Sequence, residues 1–253
     1  MRSAGTTTDR PGNDGPFRNE CTACDATVCR ILKRDGCSRQ RSLTRGARLD
    51  GQGCLKLWTV VDGVTALCSA MSDGRRQIVC LSMPGDTICP VSGSDVWVEA
   101  LTPSTLCGSD LGPHDGPIER DAALSAELFR IAHRQVKDVS AHLAVLGRLD
   151  GMERVCLFLA DMVWRMGDKT AEGWRVQLPL SREDIADYLG LNAETVSRLF
   201  GRVKKAGLAT FVSPTEYVVP DIHALQGHAP MLPPNAPRQE RPRPAAERAL
   251  HLV

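Results

Sequence analysis

Glu194, Ser197 and Arg198 stand at i, i+3 and i+4, the spacing that puts three side chains on one side of an α-helix. Their chemistry suits the edges of base pairs. A carboxylate accepts from cytosine N4, an arginine fork donates to guanine O6 and N7, and a hydroxyl serves either role. Arg202, Lys204 and Lys205 follow on the same segment and can reach phosphates, so residues 193–206 carry four basic side chains against one acidic. Sulfur provides the second set. Three of the ten cysteines form Cys21-x2-Cys24-x4-Cys29, with Cys37 close enough to replace Cys29. Thiolates this close in a flexible loop can swing onto one metal centre, but three ligands leave one position open.

An isolated Glu-x-x-x-Arg would be only a surface pair worth a few tenths of a kcal/mol, so the elements around it matter. Ser181-Arg182-Glu183-Asp184 has the form of a capping box, and Ile185, Ala186 and Leu189 give the helix after it an apolar face. Gly190-Leu191-Asn192 makes a tight turn. Asn192 can cap a second helix over 193–206, with Val196, Leu199, Phe200 and Val203 inward and Gly207 as its stop. Two short helices joined by a glycine turn are a helix-turn-helix. Leu208 to Val212 and Glu216 to Val219 flank Ser213-Pro214-Thr215 as a hairpin wing. The candidate DNA-binding set is therefore Ser181, Glu194, Ser197, Arg198, Arg202, Lys204 and Lys205.

Upstream, short apolar runs such as Leu57 to Val61, Gln77 to Ser82 and Val96 to Leu101 are cut by Arg45-Gly46, Asp62-Gly63, Asp73-Gly74, Pro84-Gly85 and Ser92-Gly93. This is the texture of a small all-β roll or sandwich. From Asp121 to Leu149, Leu128, Ile131, Val139, Leu146 and Leu149 recur at helical multiples, with Gln135 and His142 filling the stripe. A helix that long needs a cover for its stripe: self-association as a coiled coil is expected, with docking on the β domain as the alternative. A further helix is expected over Met152 to Met166, then a break and loop through Gly173. The fold class is α+β. The expected organisation is an arm (1–20), a cysteine loop (21–37), a β-roll (38–120), a dimerisation helix (121–150), a winged helix-turn-helix (151–227) and a disordered Pro/Arg-rich tail (228–253).

Composition narrows the function classes. With 31 Lys+Arg against 30 Asp+Glu, the chain is neither a basic nucleic-acid coat nor an acidic disordered protein. No apolar run approaches the roughly 20 residues that span a bilayer. The N-terminus has no signal core, so a cytoplasmic location is expected and disulfides are not. No glycine-rich phosphate loop or nucleophile motif suggests an enzyme.

Leu189-Gly190-Leu191-Asn192-Ala193-Glu194-Thr195-Val196-Ser197-Arg198-Leu199 resembles the recognition-helix signature of the CRP/FNR superfamily of bacterial transcription regulators, and the element order matches over roughly residues 40 to 225. The Glu-x-x-Ser-Arg triplet is similar to that of the FNR-like members. The resemblance implies a homodimer on palindromic double-stranded DNA with TTGAT-type half-sites, read by Glu194, Ser197 and Arg198, and RNA polymerase as a further partner. FNR-type oxygen sensors also have an N-terminal cysteine trio and one remote cysteine in the β-roll. Glu99 to Cys107 resembles the stretch that carries it, which implies a [4Fe–4S] cluster on Cys21, Cys24, Cys29 and Cys107, with Cys37 as alternate. The alternative inputs are zinc on the same thiolates, direct thiol oxidation without a metal, nitric oxide, or haem, for which His114, His133 and His142 would be the residues. In the cyclic-nucleotide members a Gly-Glu pair and an Arg-Ser/Thr pair surround the phosphate. Here Thr87-Ile88-Cys89-Pro90 follows Pro84-Gly85-Asp86, and the later stretch reads Glu99-Ala100-Leu101, an acid that would repel a phosphate, so no cyclic nucleotide is expected. Cys54, Cys68, Cys80, Cys89 and Cys156 read mainly as core packing, with Cys68, Cys80 and Cys89 the candidates for any second redox role.

Overall fold

The computed structural model describes residues 38–50, 56–89, 96–110 and 122–236, so Cys21, Cys24, Cys29, Cys37, Cys54 and His114 lie outside the described residues. Strands β1 (Ser38–Leu43), β2 (Arg48–Asp50), β3 (Lys56–Asp62), β4 (Thr65–Ala70), β5 (Arg76–Ser82), β6 (Thr87–Ile88), β7 (Val96–Ala100) and β8 (Ser104–Asp110) come first. They form two four-stranded sheets, β1-β8-β3-β6 and β2-β7-β4-β5, with antiparallel pairing throughout. Period-two alternation sends Leu49, Trp58, Val60, Leu67, Ile88, Val98 and Leu106 between the sheets, where they make the core of the roll. Turns at Gly46, Gly63, Gly74 and Gly85 all take positive φ, which is why the sequence marks these four corners so clearly.

Helix α1 (Ala122–Arg148) leaves the roll, and α2 (Gly151–Met166) turns back under it after Asp150, whose carboxylate caps the new helix through Met152 and Glu153 amides. The segment expected as a loop after α2 is instead a hairpin of β9 (Gly167–Thr170) and β10 (Gly173–Gln177), and β10 pairs with the wing. Then come α3 (Arg182–Leu189), α4 (Ala193–Lys205), the wing strands β11 (Thr210–Ser213) and β12 (Glu216–Val219), and α5 (Ile222–Gln226). One continuous core joins the outer face of the second roll sheet (Ala66, Cys68, Ile78, Leu81) to α2 and to the helix-turn-helix. Among the described residues no helix is long and apolar enough to cross a membrane.

The apolar stripe expected to pair two copies of α1 is mostly occupied within the chain. Leu128 and Ile131 pack with Leu57 and Leu124. Gln135 accepts from the Cys89 amide and donates to its carbonyl, both at 3.3 Å. His142 stacks on Tyr188 with centroids 4.2 Å apart, and Leu149 is buried beside Leu157. The face left open is a different one: Phe129, Val136 and Leu143 are 73%, 64% and 70% exposed, one heptad apart.

Of the segment expected as a disordered tail, residues 237–253 lie outside the described residues, and 228–236 are in contact with the fold: Ala229 and Met231 lie against Val145, Leu149 and Leu157, and Ala236 is buried.

Candidate nucleic-acid interface and thiol site

The two short helices are fixed by local hydrogen bonds. The Ser181 hydroxyl accepts from the Asp184 amide at 3.1 Å and donates to its carboxylate at 2.8 Å. That commitment leaves Ser181 as a cap, not a free donor to DNA. Gly190 takes φ 62°, ψ 39°, the left-handed corner that turns the chain between the helices. Asn192 Oδ1 accepts from the Thr195 amide at 2.7 Å and starts α4. Val196, Leu199, Phe200 and Val203 are all buried, which fixes the rotation of α4 about its axis.

With that rotation set, Glu194, Ser197, Arg198, Arg202, Lys204 and Lys205 are all exposed. In the free protein Arg198 and Glu194 form an i,i+4 ion pair with both side chains at least 70% exposed. The Ser197 hydroxyl donates to the Ala193 carbonyl at 2.9 Å. Both contacts are solvent-accessible and weak, so they can be exchanged for base edges at little expense. Arg182 is a residue the sequence reading missed. Its guanidinium lies 4.2 Å over the Phe200 ring, in the first turn of α3, where a helix dipole disfavours a cation. Its Nη1 is buried without a hydrogen-bond partner among the described residues, and burial lowers its pKa. The only sequence signal was a basic residue inside the capping box.

The recognition unit is attached to the roll through charge. Arg76 on β5 binds Glu99 of β7 and, across the domain boundary, Asp184 at 2.7 Å and Asp187 at 2.8 Å. Arg45 reaches the same Asp184 at 2.7 Å. Burial works to raise the Asp184 pKa, but hydrogen bonds from Arg76 and Ser181 and the charge of Arg45 together hold it below the usual value. Glu99 also receives Arg48 and the Trp97 indole. Its neighbour Val98 faces the roll interior, so Glu99 faces α3 with its charge compensated. Repulsion by Glu99 therefore does not bear on what the interior of the roll can hold.

Cys107 sits on β8 opposite Thr59 of β3 and Gln40 of β1, 6% exposed. Leu106 points into the roll, so Cys107 belongs to the outer face, the one on which Leu57 packs against Leu124 of α1. Gly108 next to it must lack a side chain, since a Cβ there would collide with the Trp58 ring. The other described cysteines are poor thiolates. Burial pushes the Cys68 thiol up to about 12 and Cys80 and Cys156 to about 11, and it raises Cys89 as well. These four are packing residues, as expected. No group of three metal-ligating side chains occurs among the described residues. His142 is buried and neutral, its pKa lowered to about 4 by burial, and His133 lies on the exposed side of α1.

Residues 153–227 match the Crp-like helix-turn-helix domain family. The chain is 36% identical over 167 residues to the nitrogen fixation regulation protein FixK of Rhizobium meliloti, covering 64% of this chain and 74% of that one. It is 34% identical over 209 residues to the FixK of Bradyrhizobium diazoefficiens, covering 79% and 88%. Among solved structures, FixK2 from Bradyrhizobium japonicum superposes with a TM-score of 0.68 at 26% identity, covering 76% of this chain and 97% of that one. These relatives, a roll joined by a long helix to a winged helix-turn-helix, and an exposed Glu-x-x-Ser-Arg face on its second helix place the chain in the CRP/FNR family of DNA-binding transcription regulators.

Proposed function

We propose that the protein is a homodimeric transcription activator of FNR type. In this reading it binds two-fold TTGAT-like sites through Glu194, Ser197 and Arg198, with Arg182, Arg202, Lys204 and Lys205 on phosphates. The observation that carries the DNA reading is the exposed polar face of α4, held in rotation by four buried residues. Exposed apolar side chains at heptad spacing along α1 support the dimer. RNA polymerase is the further partner, and the cytoplasm the location.

For the input we propose an oxygen- or redox-labile [4Fe–4S] cluster on Cys21, Cys24, Cys29 and Cys107, with Cys37 as alternate to Cys29. One observation supports the assignment: Cys107 is buried on the outer sheet face, the face on which Leu57 packs against Leu124 of α1, and β1 pairs beside it. Ser38 pairs with Ser109 and Gln40 with Cys107. Cys29 precedes Ser38 by nine positions, and an extended chain of that length reaches up to about 30 Å, so the arm can bring its thiolates to β8. A bound cluster would supply oxygen-sensitive iron and sulfide at that seam. The residues of this chain would do the rest: Cys107 would anchor the arm on the sheet face that α1 also covers, and an anchored arm would stabilise the α1 face that meets the partner.

Anaerobically purified protein tests this reading. Iron, acid-labile sulfide and air-sensitive binding to a TTGAT palindrome are expected, and Cys107→Ser should lose all three while remaining folded. Zinc in place of iron, or binding indifferent to both air and Cys107→Ser, would refute the cluster and leave the DNA-binding reading standing.

A further inference from the structure

The family match ends at residue 227, yet the chain continues in contact with the fold. After α5, turns from Leu225 to His228 and from Gln226 to Ala229 send it back toward α1 and α2. Ala229 and Met231 then pack on Val145, Leu149 and Leu157. These three positions straddle the joint between the long helix and the DNA-binding unit, since α1 ends at Arg148 and α2 begins at Gly151. Beyond the joint, the Asn235 backbone amide donates to Asp161 Oδ1 at 3.2 Å, and its side-chain amide donates to Oδ1 at 3.0 Å and to Oδ2 at 3.3 Å. Asp161 is 5% exposed, and burial raises its pKa against the opposing pull of Arg165 and Asn235. Pro234 and Asn235 also help wall a cavity of about 370 Å³ bounded by β5, α1, α2 and α3.

We propose that the cleft between α1 and α2 is an interaction surface for the chain's own residues 228–236, which act as a latch across the joint. The apolar pair Ala229 and Met231 bridges both helices, and Asn235 closes the latch on a buried carboxylate that would otherwise lack its amide donors. The joint is clamped from within by Arg154 of α2, whose guanidinium donates to the carbonyls of Leu149 at 2.9 Å and Leu146 at 2.7 Å, and to that of Leu189 at 2.9 Å, while the Leu149 and Arg154 amides bond within the last turn of α1 and the first turn of α2. Residues 228–236 add a second restraint that contacts both helices, and with Arg154 they set the angle at which α2 carries the recognition unit away from α1.

Hydrogen exchange on the full-length protein reads the latch directly. Asn235→Asp faces Asp161 with a second carboxylate, and a chain ending at 227 removes the latch; a chain ending at 236 is the control. In both altered proteins the amides of Leu149 and Arg154 should exchange about tenfold faster or more, while those of Ala66 and Cys68 in the roll stay at the wild-type rate. The control should match wild type throughout. Wild-type exchange at the joint in Asn235→Asp and in the chain ending at 227 would overturn the proposal. So would a uniform rise that includes the roll, because that would mean the segment supports general stability rather than the joint.

Discussion

Replacing Leu143 with Glu separates the two faces of α1. Leu143 is 70% exposed and lies one heptad from Val136 and two from Phe129. Fully burying a leucine stabilises by about 1.5–3 kcal/mol. With 70% of this one still available, a partner helix would gain about 1–2 kcal/mol per protomer, or about 2–4 kcal/mol across a two-fold interface where the residue occurs twice. At 1.4 kcal/mol per decade, Leu143→Glu should raise the dimer dissociation constant by about 30- to 1000-fold. Facing carboxylates would add to that. The fold of the protomer should be unaffected, because the side chain contributes little to its own core. Ile131→Glu is the contrasting variant: it faces the cluster of Leu57 and Leu124 and should lower the melting temperature instead. Sedimentation at micromolar concentration with a parallel thermal melt decides the matter. A Leu143→Glu protein that remains dimeric, or that melts as early as Ile131→Glu, would refute the assignment of the seam.

Arg198→Ala should weaken binding to a matched site by about 1–3 kcal/mol and relax base preference at one position of each half-site. A loss of equal size on every sequence in a competition titration would make Arg198 a phosphate contact. His142 gives a pH signature. Its folded pKa of about 4 lies below the ordinary 6.5, so the unfolded chain takes up a proton first as the solution is acidified. The stability due to the neutral ring is thus complete above pH 6.5 and is lost as the pH falls toward 4, on the order of 3 kcal/mol in all. His142→Phe keeps a ring against Tyr188 and should flatten that part of the stability profile. An unchanged slope in denaturant titrations between pH 6.5 and 4 would show that His142 is not the group responsible.

The helix-turn-helix was legible because its determinants are local. Ser181 and Asp184, Gly190, and Asn192 with Thr195 each act within three residues, and the structure contains the cap, corner and cap they encode. The strands of the roll were legible from alternation and from turn glycines. The inward face of α1 was harder to read, since apolar residues recur at helical spacing on two sides of it. Only the outer sheet face with Leu57 and Tyr188 on α3 determines which side is covered. Residues 228–236 differ from expectation because a proline-rich composition excludes helix without excluding a series of turns that packs. The Cys-x2-Cys-x4-Cys loop lies outside the described residues, so of the thiolate set only Cys107 has a position.

Arg76 was invisible in the sequence, since its partner Asp184 lies 108 positions away. On the proposed reading of an input at the roll, its place gives that input a route to the recognition helix. The Arg76 side chain is 20% exposed and carries three carboxylates, one from its own sheet and two from α3. Removing a partner from such a network leaves buried charges uncompensated, which is far more costly than loosening a surface pair. Gln77 beside it donates to the Asp187 carbonyl at 2.6 Å, so α3 is held to β5 by backbone as well as by charge. Helix α4 packs on α3 through the shared core. A shift of β5 relative to α1 must therefore either carry α3 and α4 along as one body or break this network, and carrying them is the cheaper course. On the proposed reading, the recognition face would then move as one body about the joint at Leu149 and Asp150, and the angle of that joint is what an input at the roll would alter.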